Sequence, residues 1–383
     1  MSSNKFIPLS IPNLSGKEWD YIKECLDTNW VSSVGSFVDR FEKEIAEYTG
    51  SKNAVAVVNG TAALHLSLQL AGVGFGDYVL VPSLTFIASA NAVKYVGADP
   101  ILVDVDPETW QLDLKLLSEF LERKSDLTSN GLILKNDGRK IKAIMPVYML
   151  GNLCDMSELV KLSEKFHLKI IEDATESIGA TFKGKHAGTF GLFGCLSFNG
   201  NKMMTTGGGG MILTNDDLLA QKAKHLSTQA KADSFEYFHD EIGYNYRLVN
   251  ILAAMGVAQL ENLPKFLKRK AGIAAFYKSQ LKDLPGISFQ KTQAGAVPNN
   301  WLFTILTNRQ KELIERLNNC KIQVRKTWMP IHKMPVYSHA RYISDFDHSF
   351  DIYNRSLSLP CSSGISDEEL ERVVAEIKRN FFR

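Results

Sequence analysis

Neither sign of charge is in surplus in this chain of 383 residues: 44 Lys and Arg face 42 Asp and Glu, and no long basic run occurs. Nucleic acid and anionic membrane surfaces call for such a surplus, so neither is expected as a partner. Nowhere do 18 apolar residues run together, and Met1-Ser2-Ser3-Asn4-Lys5-Phe6-Ile7-Pro8 holds no extended apolar segment. No membrane-spanning helix or signal peptide is therefore expected. The five cysteines, Cys25, Cys154, Cys195, Cys320 and Cys361, are odd in number, scattered, and free of any Cys-x-x-Cys pair. They read as reduced, mostly buried thiols, which points to the cytoplasm, and no metal site is expected. No internal repeat or low-complexity tract stands out either.

What is present is a large apolar content, 45% of residues, enough for a core beyond the usual single-core size. Candidate strands fall at Ala54–Val58, Tyr78–Val81, Ile101–Val105, Ile141–Val147, Lys169–Glu172, Cys195–Phe198 and Gly210–Thr214, several followed by helical stretches such as Met156–Phe166. That alternation predicts an α/β fold, a mostly parallel sheet with helices on both faces. Ser15-Gly16-Lys17-Glu18 has the form of a capping box before a helix with Trp19, Ile22 and Leu26 on its apolar face, and Phe37, Phe41, Ile45 and Tyr48 form a second stripe. Both stripes are expected in the core. After Arg247 a long helix, Asn250 to Leu281 with Pro264 as a candidate break point, leads into a smaller mixed region. The expected domains are 1–249 and 250–383.

The chemistry centres on Lys202, alone between the apolar segment at Ser197-Phe198 and the run Gly207-Gly208-Gly209-Gly210. A tight, partly apolar turn disfavours the ammonium and frees the amine to attack an aldehyde, and pyridoxal phosphate is the obvious aldehyde. Asp173 ends the strand-like Lys169-Ile170-Ile171-Glu172, where a carboxylate can keep a pyridinium nitrogen protonated. Asn59-Gly60-Thr61 breaks an apolar strand and opens a helix, a turn with free backbone N–H groups suited to a phosphate. Taken singly, each has an ordinary reading: a solvated lysine, a strand-end turn residue, a helix cap. Gly60, Asp173 and Lys202 nonetheless all fall at carboxyl ends of predicted strands, where ligands of such sheets sit.

In order along the chain, Asn59-Gly60-Thr61-Ala62-Ala63-Leu64, Pro82-Ser83-Leu84-Thr85-Phe86-Ile87-Ala88, Glu172-Asp173-Ala174, Ser197-Phe198 through Lys202 with Thr205-Thr206-Gly207, and Gly243-Tyr244-Asn245-Tyr246-Arg247 resemble the DegT/DnrJ/StrS family of sugar-nucleotide aminotransferases. The likeness runs from Trp30-Val31-Ser32 to Leu359-Pro360. It implies a fold-type I pyridoxal-phosphate architecture: a large doubly wound, mostly parallel sheet domain and a smaller C-terminal α/β domain. It implies further that Lys202 carries the cofactor covalently and moves the proton between cofactor and substrate carbon, and that Asp173 pairs with the pyridine nitrogen. Phe86 would stack on the ring, though a core aromatic reads as well, and Gly60, Thr61, Ala62 and Ser197 would hold the phosphate. Glu176 stands near the 3-hydroxyl where many relatives carry Gln. Asn245 would reach the phosphate from a neighbouring subunit, which implies a homodimer with shared active sites. Trp30, Arg247, Arg325 and Trp328 are implied on the substrate side; Arg325 and Trp328 belong with Trp301, His332 and Tyr337 to a polar-aromatic group of the later region.

Two departures stand out. Gly208 replaces the Glu of the family's common Gly-Glu-Gly-Gly, and Tyr148 stands where Pro-Val-His is frequent. Asn199-Gly200-Asn201-Lys202 before a Glu-less Gly stretch is similar to the branch that makes 4-amino sugars for bacillosamine and legionaminic acid, as is Ser227-Thr228-Gln229-Ala230. The resemblance thus implies transfer of an amino group from L-glutamate, giving 2-oxoglutarate, to a nucleotide-linked 4-keto-6-deoxy sugar, first of all a UDP-linked 2-acetamido-4-keto-2,6-dideoxyhexose. GDP- and dTDP-linked ketoses remain alternatives, as does a catalytically silent protein that only binds the cofactor. Sugar dehydratases of the family replace the lysine by histidine, so Lys202 counts against that reaction. A nucleotide module built on Gly207–Gly210 fails, because no Gly-x-Gly-x-x-Gly opens a helix and no Gly-Lys-Ser/Thr closes the loop.

Overall fold

The computed structural model describes residues 5–233 and 235–381. Seven strands carry the main sheet: β1 (Asn53–Val57), β2 (Tyr78–Pro82), β3 (Asp99–Val103), β4 (Lys140–Ile144), β5 (Lys169–Asp173), β6 (Phe193–Ser197) and β7 (Gly210–Thr214). They lie in the order β1-β7-β6-β5-β4-β2-β3. Pairing is parallel from β6 to β3, and β7 runs antiparallel to both neighbours. All seven match strands expected from the apolar runs. Residues of β2, β3, β5 and β7 are nearly all buried, the continuous apolar texture of a sheet covered on both faces.

Alternation did not reveal two additions to this sheet. A hairpin, Ser125–Thr128 with Gly131–Leu134, pairs onto β4, and Arg341–Ile343 joins β3 in parallel from far along the chain. Both are short, and the second sits in a segment too polar to read as a strand. Separately, Ile287–Phe289, Phe303–Thr307 and Ser356–Leu359 form a three-stranded antiparallel sheet. We propose a lobe boundary at 249/250, since this small sheet is built entirely from later residues, although Arg341–Ile343 returns to the large one.

Two helices enter before β1: α1 (Glu18–Asp27) and α2 (Ser36–Thr49). The second stripe is buried as expected through Phe37, Phe41 and Ile45, with Tyr48 half-buried. The first is a correction. Trp19 and Leu26 are 74% and 54% exposed, while Glu18 and Cys25 face inward. The cause is the long helix Asn250–Leu281, on which α1 packs: Glu18 takes a hydrogen bond from the Gln259 amide and Cys25 one from the Asn250 amide. The expected capping box does not form: the helix starts at Glu18 with Lys17 as its uncapped N-cap, and the Glu18 carboxylate accepts from Gly16 N–H instead of Ser15 N–H. Instead of an own cap, α2 is capped by Asn250, whose Oδ1 accepts from Phe37 and Val38 N–H. At the candidate break point Pro264 the helix continues, and Asn250–Leu281 is one element. Gly256 lets it approach α2, since a Cβ there would lie 2.7 Å from the Phe41 ring.

Candidate active site

A cavity of about 310 Å³ opens at the carboxyl ends of the parallel strands. Ligands of doubly wound sheets sit at this edge. The chain leaves β1 at Asn59, whose side chain accepts from Ala62 N–H at 2.8 Å and starts the helix α3 (Gly60–Leu70). The ordinary cap and the anion turn are therefore one structure: Asn59 caps, and Gly60 and Thr61 line the cavity beside Ser197 from the end of β6. A Cβ on Gly60 would lie 2.9 Å from Ser197 Cβ and 3.0 Å from Thr175 Cγ2, so this wall admits only hydrogen. Ala62, one residue into α3, is buried and does not line the cavity.

Asp173 closes β5, and its carboxylate faces the cavity. Ser89 Oγ donates to one oxygen at 2.7 Å and Thr175 N–H to the other at 3.3 Å. Ser89, in the helix Ala88–Tyr95, went unnoticed in the sequence; its position one helical turn past Phe86 was the available signal. Phe86 is 53% exposed on the cavity wall, so the reading as a core aromatic does not hold.

Lys202 stands in a turn closed by its own N–H to Asn199 O. Among the described residues no acceptor lies within hydrogen-bond distance of its Nζ; Glu176 Oε1 is 3.9 Å away, and the Trp301 ring centre 4.3 Å. Burial holds the amine below the usual lysine range, opposed by the Glu176 and Asp173 carboxylates. Burial also pushes Glu176 up to about 7, against the pull of Lys202 and the Leu150 N–H it accepts. Trp301 was expected only as part of a cluster. It donates its indole N–H to Asn201 O at 2.6 Å and stacks on Trp328, which carries the C-terminal region to the lysine turn.

Arg325 and Trp328 line the same cavity. His332 and Tyr337 lie elsewhere, bonded to Ser83 and Asn91. Trp30 and Arg247 are also outside it. Arg247 is buried and committed to the Glu42 carboxylate and Ala56 carbonyl, and Trp30 is a half-exposed surface residue. Asn245 is exposed, bridged to Thr228, and does not line this chain's cavity. Tyr148, the departure from Pro-Val-His, is fully buried behind the sheet and donates to Glu172.

An unpartnered buried amine, an acid opposite it, a hydrogen-only cradle with a hydroxyl and an aromatic wall are the donor set pyridoxal phosphate requires, and on this sheet they define a fold-type I pyridoxal phosphate-dependent aminotransferase. Comparison with known proteins agrees. Residues 12–378 match the profile of the DegT/DnrJ/EryC1/StrS aminotransferase family, and the chain belongs to that family. It is 40% identical to a GDP-perosamine synthase of Escherichia coli O157:H7, covering 96% of each chain. It is 39% identical to the putative pyridoxal phosphate-dependent aminotransferase EpsN of Bacillus subtilis, over 97% of this chain and 95% of that one. Among solved structures, a DegT DnrJ EryC1 StrS aminotransferase from Brucella abortus superposes with a TM-score of 0.89 at 29% identity, covering 96% of each.

Proposed function

We propose that the enzyme transfers the amino group of L-glutamate to C4 of a UDP-linked 2-acetamido-4-keto-2,6-dideoxyhexose, in the cytoplasm, as a step toward a cell-surface glycan. The observation that carries the transferase reading is the convergence of Lys202, Asp173, Phe86 and the Gly60–Thr61–Ser197 cradle on one cavity. The UDP sugar is supported by the Asn199-Gly200-Asn201-Lys202 turn and its Glu-less Gly run, similar to the branch that makes such sugars. A GDP-linked 4-keto sugar is the second reading, favoured by GDP-perosamine synthases at 37–40% identity.

Pyridoxal phosphate held here would supply an electron sink to the amine-bearing carbon of donor and product. Lys202 would carry the cofactor on its Nζ and is the base placed to take a proton from the amine-bearing carbon and return it. Asp173, held by Ser89 and Thr175, is the carboxylate that would face the ring nitrogen. Gly60, Thr61 and Ser197 would hold the phosphate, and Phe86 would cover the ring from the cavity wall. Arg325 is the cavity's second cation and the natural partner for a substrate carboxylate or diphosphate.

We also propose a homodimer in which Asn245 completes the partner's cavity. Two exposed apolar zones support it: Ile11, Leu14, Trp19, Trp30 and Val34 near the start of the chain, and Phe235, Tyr237, Phe238 and Ile242 beside Asn245.

The test is absorbance of the protein with pyridoxal phosphate before and after L-glutamate, with Lys202→Ala in parallel, followed by turnover of UDP- and GDP-linked ketoses. The wild type should shift its visible band on adding glutamate and aminate the UDP sugar; Lys202→Ala should lose at least ~10³-fold in rate. Turnover of the GDP sugar alone would replace the substrate and keep the class. A band that never responds to any donor would favour a silent binding protein.

A further inference from the structure

Glu176 has no part in the steps above, yet the fold builds it in from two sides. Its Oε2 accepts the Leu150 N–H at 2.7 Å, and its backbone carbonyl accepts from Asn299 Nδ2 at 2.8 Å. That N–H comes from a left-handed turn, Leu150 at φ 61° and Gly151 at φ 81°, where a Cβ on Gly151 would lie 1.7 Å from Asn299 Oδ1. Asn299 also holds Ile178 O and Trp301 N–H, and Trp301 covers the Lys202 amine. One oxygen is thus anchored and the other, Oε1, is left facing Lys202 Nζ at 3.9 Å, about 1 Å beyond hydrogen-bond distance.

Resting on the aminotransferase reading, we propose that Glu176 is a positioning residue that shares one proton with Lys202: it takes a proton from the Nζ ammonium when the lysine is released, and gives it back when the lysine must be charged. In that transfer an Nζ–H bond breaks and an Oε1–H bond forms, so the buried pair changes from two charges to none. A small swing of the lysine side chain closes the gap. Desolvation of both groups favours the neutral arrangement, and the carboxyl's displacement to about 7 brings it within range of a buried, depressed amine. The other charged groups facing the pair are Asp173 from β5 and Arg325 from the C-terminal region; the Leu150 turn offers only its N–H. A neutral side chain in Glu176→Gln would keep the Leu150 hydrogen bond and lose the proton store.

The experiment is competitive acetylation of apoprotein from mildly acidic to alkaline pH, reading the Lys202 peptide by mass spectrometry, in wild type and Glu176→Gln. Removing the carboxylate removes what favours the ammonium, so the Lys202 midpoint should fall by about one pH unit or more in the variant. The acid limb of kcat should weaken in the loaded enzyme at the same time. An unchanged Lys202 midpoint, with activity reduced evenly at every pH, would make Glu176 a purely structural acid and overturn the proposal. Because the labelling is done without cofactor, a failure of both proteins to take up pyridoxal phosphate would sink the aminotransferase reading and still leave the Glu176–Lys202 coupling measured.

Discussion

Two adjacent carboxylates on β5 face opposite sides of the sheet, as the strand's two-residue period requires. Behind the sheet, Glu172 is saturated: Tyr148 Oη donates at 2.6 Å, and the N–H groups of Gly188, Phe190 and Gly191 donate at 2.6–2.7 Å. In front, Asp173 takes one hydroxyl and one longer N–H, and the rest of its carboxylate looks into the cavity. Both are almost fully buried, so burial alone does not separate a structural acid from a working one. Partner supply does. Where every lone pair is used, the group ties loops to the sheet; where capacity is left over, it is available to a ligand. Lysines repeat the contrast: buried Lys270 donates to Trp301 O at 2.6 Å, whereas Lys202 has only acids and an aromatic face at longer range.

Exchanging each carboxylate for its amide breaks this comparison most directly. Asp173→Asn removes the charge opposite the ring nitrogen, so activity should fall about 10²–10³-fold, with stability within ~1 kcal/mol of wild type. Glu172→Gln turns an NH₂ toward donors that all need an acceptor. It should cost about 2–3 kcal/mol in denaturant unfolding while the folded fraction keeps its rate. If instead the Glu172→Gln variant were stable and inactive, saturation would be the wrong criterion.

Arg247 extends the criterion to a cation that the family likeness places on the substrate side. Its Nη1 is bound to Glu42 and to Ala56 O, and Glu42 in turn accepts the Ala56 N–H. Arg247→Ala strands a buried carboxylate, and a loss of about 3 kcal/mol is expected with KM for the sugar nucleotide unchanged in the folded protein. A raised KM at unaltered stability would show that the arginine reaches substrate in the assembled enzyme.

Much of the fold was legible because strands covered on both faces are largely apolar, as β2, β3, β5 and β7 are. The site was legible where chemistry-bearing residues end those strands or follow them closely, as Asp173 does at the end of β5 and Lys202 in the turn after β6. What escaped depends on pairing across long sequence separations. Arg341–Ile343 has no strand pattern of its own and is held by β3. Trp19 and Leu26 fit a helical stripe, but that stripe points away from Asn250–Leu281, and no local spacing says which side the long helix takes. The grip of Leu150 N–H on Glu176 was invisible for the same reason: a backbone donor in an irregular turn leaves no mark in side-chain composition.

Ser89 gives the finest test, because it lies between the saturated and the open groups. Its hydroxyl donates to Asp173 Oδ2 at 2.7 Å and sits 3.3 Å from Thr85 Oγ1, so it is the only side-chain donor to that acid among the described residues. Ser89→Ala deletes one hydrogen bond to a charged group and leaves Asp173 its charge, its place on β5 and the Thr175 contact. A bond of that kind is worth about 1.5 kcal/mol, so the rate should drop about tenfold, well short of Asp173→Asn. The partition between constants then says what the bond does. A fall in kcat at constant cofactor affinity means that Ser89 aims the carboxylate during turnover; weaker binding of pyridoxal phosphate at constant kcat means that it prepares the cavity floor before the cofactor arrives. No change in either would show that Thr175 N–H and the strand hold Asp173 unaided.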